Sequence, residues 1–138
     1  MVPEIRSARE EAGLGMEGFD IVAAVPVGLT EDVEAGRASQ RQELITYMSL
    51  PFYRAMLERS GFEQEIAAFD EGMAAGDPEK AKAGISDTML DEIAGIGGPD
   101  QITAAVERYR QAGATSPCIG GIPRTDFDGA LEIAATAG

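Results

Sequence analysis

A nearly unbroken apolar run near the start of the chain, Phe19 to Val27, limits the folds that are open to it. A strand that faces solvent on one side alternates apolar and polar residues, whereas a strand covered on both faces does not. Strands of the second kind occur in parallel sheets flanked by helices. The run therefore predicts a strand of an α/β fold. Pro26 is expected at its end, because a central strand cannot spare an amide donor.

The segment 85–123 carries a second set of boundary signals. Pro99 follows the pair Gly97-Gly98 and is expected to begin a helix, because a first helical residue needs no amide hydrogen and proline already has a helical φ. Gly113 follows the last residue of an apolar stripe, where a left-handed cap favours a residue without Cβ. The segment therefore predicts a helix that ends in a turn before a strand.

A second apolar run, Cys118 to Ile122, predicts that strand, and Cys118 is expected to be a small apolar core residue. Thr125 is expected to cap the last helix. The chain between the two strands has helical patterns almost throughout, so the strands are expected to be parallel and joined by a right-handed crossover. The predicted fold class is a helix-rich α/β fold with two parallel strands, at about 19–27 and about 117–122.

Length and charge restrict the function further. The chain has 138 residues, enough for one domain but far short of the roughly 250 residues of an eight-stranded α/β barrel. Its 24 acidic and 11 basic residues give a net charge of −13, and no basic patch stands out that could neutralise phosphates. Nucleic acids and anionic membranes are therefore poor candidate partners.

The sequence also indicates a compartment. A single cysteine cannot form an internal disulfide, which is typical of a reducing environment. The sequence shows neither a run of about 18 apolar residues nor the pattern of a signal peptide. Together these observations predict a cytoplasmic protein.

The chain contains no histidine. This excludes Ser-His-Asp and Cys-His triads, histidine-ligated zinc and an imidazole general base. Any chemistry must therefore use carboxylates, Arg, Lys, Tyr or a bound cofactor. Three carboxylates near the start of a predicted helix are better explained by capping and the helix dipole than by a metal, so no metal site is predicted: Asp87, Asp91 and Glu92.

Three segments carry a resemblance to a known family: VAAVPVGLTEDVEAGR (22–37), SLPFYRAMLERSGF (49–62) and ISDTMLDEIAGIGGPDQITAAVERYRQAG (85–113). With the strand that follows, they resemble the C-terminal part of luciferase-like monooxygenases. The likeness is greatest to the branch that uses the deazaflavin coenzyme F420, the methylenetetrahydromethanopterin reductase branch. It covers essentially the whole chain, and its clearest motif is 87–113 with a Gly-Gly-Pro-Asp hinge.

The resemblance implies a partial (β/α)8 barrel of the TIM type, as a single domain over residues 1–138. Residues 21–27 would be strand seven and residues 118–122 strand eight, with a helical insertion at 30–95. The first six strands would be missing, and with them most of the pocket for cofactor and substrate. The chain is therefore expected to be a truncated gene product that forms a homo-oligomer or binds a partner supplying the missing strands.

Active sites of such barrels lie at the carboxyl ends of the strands, and phosphate groups often bind after strands seven and eight. Glycines there let a ligand approach the backbone, an arginine can pair with a phosphate, and the next helix can offer free amides. These arguments select six candidate cofactor-binding residues: Pro26, Val27, Gly28, Gly120, Gly121 and Arg124. The alternative is a simple glycine turn beside a solvated arginine. No catalytic residue is identified.

A second cluster follows Pro51 and consists of Tyr53, Arg54 and Arg59. These side chains could cover a cofactor or reach a substrate. Apolar and aromatic residues at helical spacing more often pack into the core, however, and that interpretation is favoured for Phe52, Tyr53 and Met56.

The resemblance implies an oxidoreductase that acts on a small molecule and in which a bound cofactor carries the redox chemistry. Hydride transfer with coenzyme F420 is the first expectation, and monooxygenation with flavin mononucleotide (FMN) is the second. The competing hypothesis is a non-catalytic barrel remnant or helical module that acts through self- or hetero-association. It is motivated by the edges of a two-stranded sheet, which need to be paired.

Overall fold

The computed structural model describes residues 2–137. At its centre is a parallel sheet of three strands: β1 (Val22–Leu29), β2 (Gly95–Gly97) and β3 (Ser116–Gly121). β1 lies in the middle, in the order β2-β1-β3. The predicted fold class, a helix-rich α/β fold with parallel strands, is confirmed. The predicted number of strands is wrong, because a third strand, β2, forms where the sequence indicates only a helix break.

Helices make up most of the remaining chain. In chain order they are α1 (Val2–Glu11), α2 (Val33–Ser49), α3 (Pro51–Arg59), α4 (Glu63–Ala74), α5 (Pro78–Ala83), α6 (Asp87–Ile93), α7 (Pro99–Gln111) and α8 (Phe127–Thr136). None of them is long and apolar enough, within residues 2–137, to cross a membrane.

The ends of α7 agree with the sequence prediction, and the start of α8 does not. α7 begins at Pro99, and Gly113 has a φ of +103°, the left-handed conformation that favours glycine. The side chain that caps α8 belongs to Asp126, whose carboxylate accepts a hydrogen bond from the Gly129 amide. Thr125, the predicted cap, instead donates its hydroxyl to the Ile122 carbonyl at 2.7 Å.

Pro26 lies inside β1, three residues before its end, so the prediction that it ends the strand is wrong. Successive residues of a strand point their backbone groups to opposite sides. The Val27 carbonyl accepts from the Ile122 amide next to β3, so the nitrogen of Pro26 faces the side of β2. The ladder with β2 begins only at Val27, paired with Gly95. Pro26 therefore removes no donor that the sheet uses.

β2 owes its existence to its neighbours, since the sequence Gly-Ile-Gly has little strand propensity of its own. It pairs with the last three residues of β1, with Gly97 beside Leu29. A Cβ on Gly95 would lie 2.7 Å from the backbone oxygen of Gln101, so only glycine lets α7 approach this closely. β2 therefore forms because α7 packs closely against it while it pairs with β1.

In a complete (β/α)8 barrel each strand lies between the strands that precede and follow it in the chain. Here the first strand is central, and within residues 2–137 no further strand pairs with the outer edges of β2 and β3. The described sheet is therefore open at both edges.

The sheet separates two environments. One face packs on α7 and α8 in a core made of Val25, Val27, Ile102, Ala105, Val106, Ala130 and Ala134. The opposite face is open at the start of the strands, where Val22 is 65% exposed and Ala24 and Cys118 are side by side and exposed. The predictions that β1 is covered on both faces and that Cys118 belongs to the core are therefore wrong.

A second, larger core lies among the helices between β1 and β2. It is formed by Leu44, Met48, Leu57, Phe62, Ile66, Phe69, Ala81, Ile85, Met89 and Leu90. A small cluster of Ala94, Ile96 and Ile122 joins this helical unit to the sheet. The helical unit thus sits over the carboxyl end of the open sheet face.

Candidate functional site

A cavity of about 430 Å³ lies where the helical unit meets the open face of the sheet. Its floor is formed by β1 and the carboxyl-terminal half of β3, through Ala24, Pro26, Gly120 and Gly121. Its walls come mainly from α2 and α3. The volume is within the range of small-molecule sites, roughly 300 to 1,000 Å³. The cavity is therefore large enough to hold part of an organic cofactor or a small substrate.

The two glycines of the floor, Gly120 and Gly121, lack a side chain for different structural reasons. The register places Gly120 beside Pro26 and Gly121 beside Val27. A Cβ on Gly121 would lie 2.6 Å from the ring of Phe127, so this glycine makes room for α8. A Cβ on Gly120 would meet nothing closer than 4.0 Å, so its missing side chain leaves free space on the cavity side.

The six sequence-predicted residues meet at one end of the sheet, but only Pro26, Gly120 and Gly121 line the cavity. Val27 is fully buried and belongs to the core under α7 and α8. Gly28 is buried as well, and it lets β1 approach the loop after β3, where a Cβ would lie 2.9 Å from a methyl group of Thr125.

Arg124, the sixth predicted residue, is exposed and has a φ of 66°, in the left-handed region. It has no ion pair or side-chain hydrogen bond with any described residue. It does not line the cavity. It lies on the loop between β3 and α8, at the same end of the sheet.

Two carboxylates of the chain, those of Asp126 and Asp128, already lie at the amino end of α8. The Asp126 carboxylate accepts from the Gly129 amide at 3.0 Å, and Asp128 stands in the first turn. A phosphate bound here would have to displace one carboxylate and would be repelled by the other. One of the free amides that the sequence suggests, that of Gly129, is thus bonded to a carboxylate of the chain itself.

Aromatic side chains make up much of the cavity wall. The rings of Tyr47 and Tyr53 meet edge to face with centroids 4.7 Å apart. The Tyr109 hydroxyl donates to the Ile93 carbonyl at 2.8 Å, and burial raises the pKa of this hydroxyl, so it remains a donor at neutral pH. Sequence reasoning selected only Tyr53. Tyr47 and Tyr109 were not among the residues selected from the sequence.

Gln40 is the one buried polar side chain among the described residues, with 6% of its surface exposed. It lines the cavity, and its carboxamide makes no hydrogen bond with any described residue. Sequence reasoning missed it. The available signal was its spacing: Gln40 lies four residues before Leu44 and eight before Met48, which places it on the apolar face of α2. A polar side chain on such a face is unusual and marks a candidate functional residue.

The second predicted cluster divides in the structure. Tyr53 lines the cavity, whereas Arg54 holds the helical unit together: it pairs with both carboxylate oxygens of Asp70, at 2.9 and 2.6 Å, and donates to the Met48 carbonyl. The hydrogen bond from Arg54 lowers the pKa of Asp70. Phe52 is 76% exposed, so the prediction that it packs into the core is wrong.

The carboxylates near the start of α6 bind arginines of α2. Asp87 pairs with Arg37 at 2.8 Å and with Arg41, and Asp91 pairs with Arg37 at 2.7 Å. The hydrogen bond from Arg37, followed by that from Arg41, lowers the pKa of Asp87. Within residues 2–137 no group of three or more His, Cys, Asp or Glu side chains is placed to hold a metal ion. These ion pairs attach α2, a wall of the cavity, to α6.

One comparison with known proteins bears on this site. The model of the family described as luciferase-like monooxygenase matches residues 1–116. The matched range contains β1, β2, the helical unit and α7, and it ends at Ser116, the first residue of β3. Three of the predicted site residues lie beyond it: Gly120, Gly121 and Arg124.

Proposed function

The chain belongs to the luciferase-like monooxygenase family, and we propose that it contributes the strand-end part of a cofactor site in a flavin- or F420-dependent oxidoreductase. Members of this family generally use flavin or F420 and act on small molecules. The observation that supports the proposal is the tyrosine-lined cavity at the carboxyl ends of two parallel strands. When bound, the cofactor would supply the hydride or oxygen chemistry.

We propose coenzyme F420 as the cofactor, with FMN as the alternative. The resemblance of residues 85–113 to the F420-using branch favours F420. The family match by itself supports either cofactor. A reducing compartment such as the cytoplasm fits the single cysteine, which is exposed as a free thiol.

The six predicted residues remain the proposed cofactor-binding set. Pro26, Gly120 and Gly121 would contact the cofactor on the cavity floor. Val27 and Gly28 would act through the backbone, by fixing the register of β1 against β3 and the following loop. Arg124 would approach from the loop after β3.

A complete site requires more protein than the described residues supply. The cavity is bounded by the sheet on one side and by α2 and α3 on another, and the sheet face continues past it as an exposed surface at Val22 and Cys118. We propose that a second copy of the chain, or a partner that carries parallel strands, covers this surface. The strands of that partner would pair with the open edges of the sheet at β2 and β3, because a free sheet edge is a ready template for strand pairing.

The test is titration of F420 and of FMN into the purified full chain, followed by cofactor fluorescence, alone and after mixing with a fragment that supplies barrel strands. Saturable quenching with one cofactor is expected. Absence of binding for both cofactors, in both samples, would contradict the proposal.

A second function is favoured by one observation, the exposed sheet face with its open edges. The chain would then act only as an association module. Light scattering separates the two cases: a dimer or complex with bound chromophore agrees with the oxidoreductase, whereas association without any cofactor agrees with the module.

A further inference from the structure

A second cavity, the edge slot, has a volume of about 390 Å³ and shares no lining residue with the tyrosine-lined cavity. Its lining includes Ile96 of β2, Arg37 and Asp91 of the helical unit, and Gln101, Ala104 and Arg108 of α7. We propose that the edge slot binds an extended protein segment that carries an acidic side chain. This inference rests on the part of the proposed function in which a partner strand pairs with β2, and it adds the chemistry of that segment.

The edge slot lies on the side of β2 that faces away from β1. β1 pairs with one edge of β2, and no described strand pairs with the other edge. The slot reaches Ile96 and is bounded by α7 on one face of the sheet and by α2 and α6 on the other. Since these helices cover opposite faces, the space between them that touches β2 follows its free edge.

Ile96 offers two unused backbone groups at this edge. The Thr30 amide donates to the Gly97 carbonyl at 3.0 Å, so Gly97 and Gly95 point their backbone groups toward β1. Successive residues of a strand alternate, so the amide and the carbonyl of Ile96 point to the free edge. Neither group has a hydrogen-bond partner within residues 2–137. An extended segment can satisfy both groups by adding a strand to the sheet.

The charge that remains unpaired in the edge slot is positive. Arg37 is already paired with two carboxylates, one of them that of Asp91. Arg108 uses its Nε and one Nη for backbone carbonyls, at 3.0 and 3.1 Å, and pairs with no carboxylate in the described part of the chain. Its other Nη can donate to a carboxylate in a charge-assisted hydrogen bond. A phosphate dianion is disfavoured because Asp91 places a negative charge in the same slot.

The direction of the Ile96 side chain predicts where the acidic residue of the segment lies. A Cβ on Gly36 would lie 2.8 Å from a methyl group of Ile96, so this side chain faces α2. Residues that lie opposite one another on paired strands point to the same face, and their neighbours point to the other face. The neighbours of the residue opposite Ile96 therefore point toward α7, which carries Arg108. We expect an apolar residue opposite Ile96 and an acidic residue next to it.

Synthetic peptides test this assignment with the purified full chain. The probe is a fluorescein-labelled, C-terminally amidated peptide with valine at its centre, glutamate on both sides of the valine and threonine at the remaining positions. The first matched peptide has glutamine in place of glutamate. The second keeps glutamate but has N-methyl groups on its three central backbone amides, which removes the donors needed for strand pairing. Fluorescence anisotropy gives the affinity of each peptide.

Two variants of the chain locate the binding site. Ala104→Glu places a carboxylate in the edge slot, whereas Thr103→Glu places the same charge on the same helix outside the lining. Both positions are exposed and glutamate favours helix, so both variants are expected to fold, which circular dichroism checks.

We expect the glutamate peptide to bind about tenfold more tightly than the glutamine peptide, because the glutamine peptide lacks the charge-assisted hydrogen bond to Arg108. The N-methylated peptide should bind at least about tenfold more weakly than its parent. Ala104→Glu should weaken binding of the glutamate peptide at least about tenfold by repulsion, and Thr103→Glu by less than about threefold.

The outcomes separate this inference from the proposed function. Equal binding of the glutamate and glutamine peptides would overturn the inference, and so would equal binding of N-acetylglutamate and the peptide, which would indicate a small-anion site. Binding that Ala104→Glu leaves unchanged would place the peptide at the edge of β3. If no peptide binds but a cofactor does, the inference is wrong and the oxidoreductase stands. If the peptides bind as expected and neither cofactor binds, the inference stands and the oxidoreductase fails.

Discussion

The two faces of the central sheet come from the same strands and differ in almost every other respect. Val25 and Val27 point toward α7 and α8 and are fully buried, while Val22 and Ala24 point the other way and are exposed. One face is a finished hydrophobic core. The other is closed only at its carboxyl end, where the helical unit forms a cavity over it. Stability therefore resides on one face and the proposed function on the other.

The largest expected effect is on the free energy of unfolding, when the same substitution, valine to alanine, is made on each face of the sheet. Val25→Ala removes two methyl groups from the covered face and should lower the free energy of unfolding by about 2 kcal/mol. Val22→Ala removes the same atoms from a side chain that is 65% exposed and should cost less than about 0.5 kcal/mol. Urea denaturation measures both. Equal losses would show that the open face is covered in solution.

Two glycines on the cavity floor sharpen the comparison at neighbouring positions. Gly121→Ala would place a Cβ 2.6 Å from the Phe127 ring and should destabilise the chain by about 1 to 2 kcal/mol. Gly120→Ala has free space around its Cβ, so stability should change by less than about 0.5 kcal/mol while cofactor affinity falls. Thermal unfolding and ligand titration check the pair. A Gly121→Ala variant that keeps its stability would contradict the conclusion that Gly121 makes room for Phe127 of α8.

The attachment of the helical unit should depend on pH. Arg37 and Arg41 lower the pKa of Asp87, so the folded pKa lies below the unfolded value. The resulting stability is present above the unfolded carboxyl pKa, about 3.9, and is lost as pH falls through the folded value. Asp87 is 55% exposed, so solvent screening keeps its contribution to about 1 kcal/mol or less.

Asp87→Asn tests this contribution by urea denaturation at neutral pH and near pH 3. The variant should be less stable at neutral pH, and its disadvantage should shrink in acid. A difference from the parent chain that is independent of pH would show that the ion pairs with α2 do not carry the effect.

The smallest effect concerns the thiol on the open face. Cys118 is exposed and should react with a thiol reagent without unfolding. Covering of this face by a partner should slow the reaction. The matched control is Ala105→Cys in a Cys118→Ser background, because Ala105 is fully buried on the other face and its thiol should react only on unfolding. Equally fast reaction of both thiols would show that the two faces do not differ in access.

Local signals predicted much of the fold. Pro99 and Gly113 bound α7 as expected because the φ of a proline and the missing Cβ of a glycine act within a few residues. β2 escaped detection because its Gly-Ile-Gly sequence becomes a strand only between β1 and α7. The site was predicted in part for the same reason: Gly120 and Gly121 mark a strand end, but the tyrosines and Gln40 reach it from distant helices.

The sequence by itself determined the class of fold, its parallel strands and the family of the chain, because apolar periodicity, prolines and glycines act locally and family motifs are linear. Tertiary structure alone decided which face of β1 is covered, since an apolar run does not say how many layers will pack against it. It also decided what lines the cavity. Gln40 lies among the lining residues, and Asp126 binds the Gly129 amide of α8, only because of where the folded chain places them.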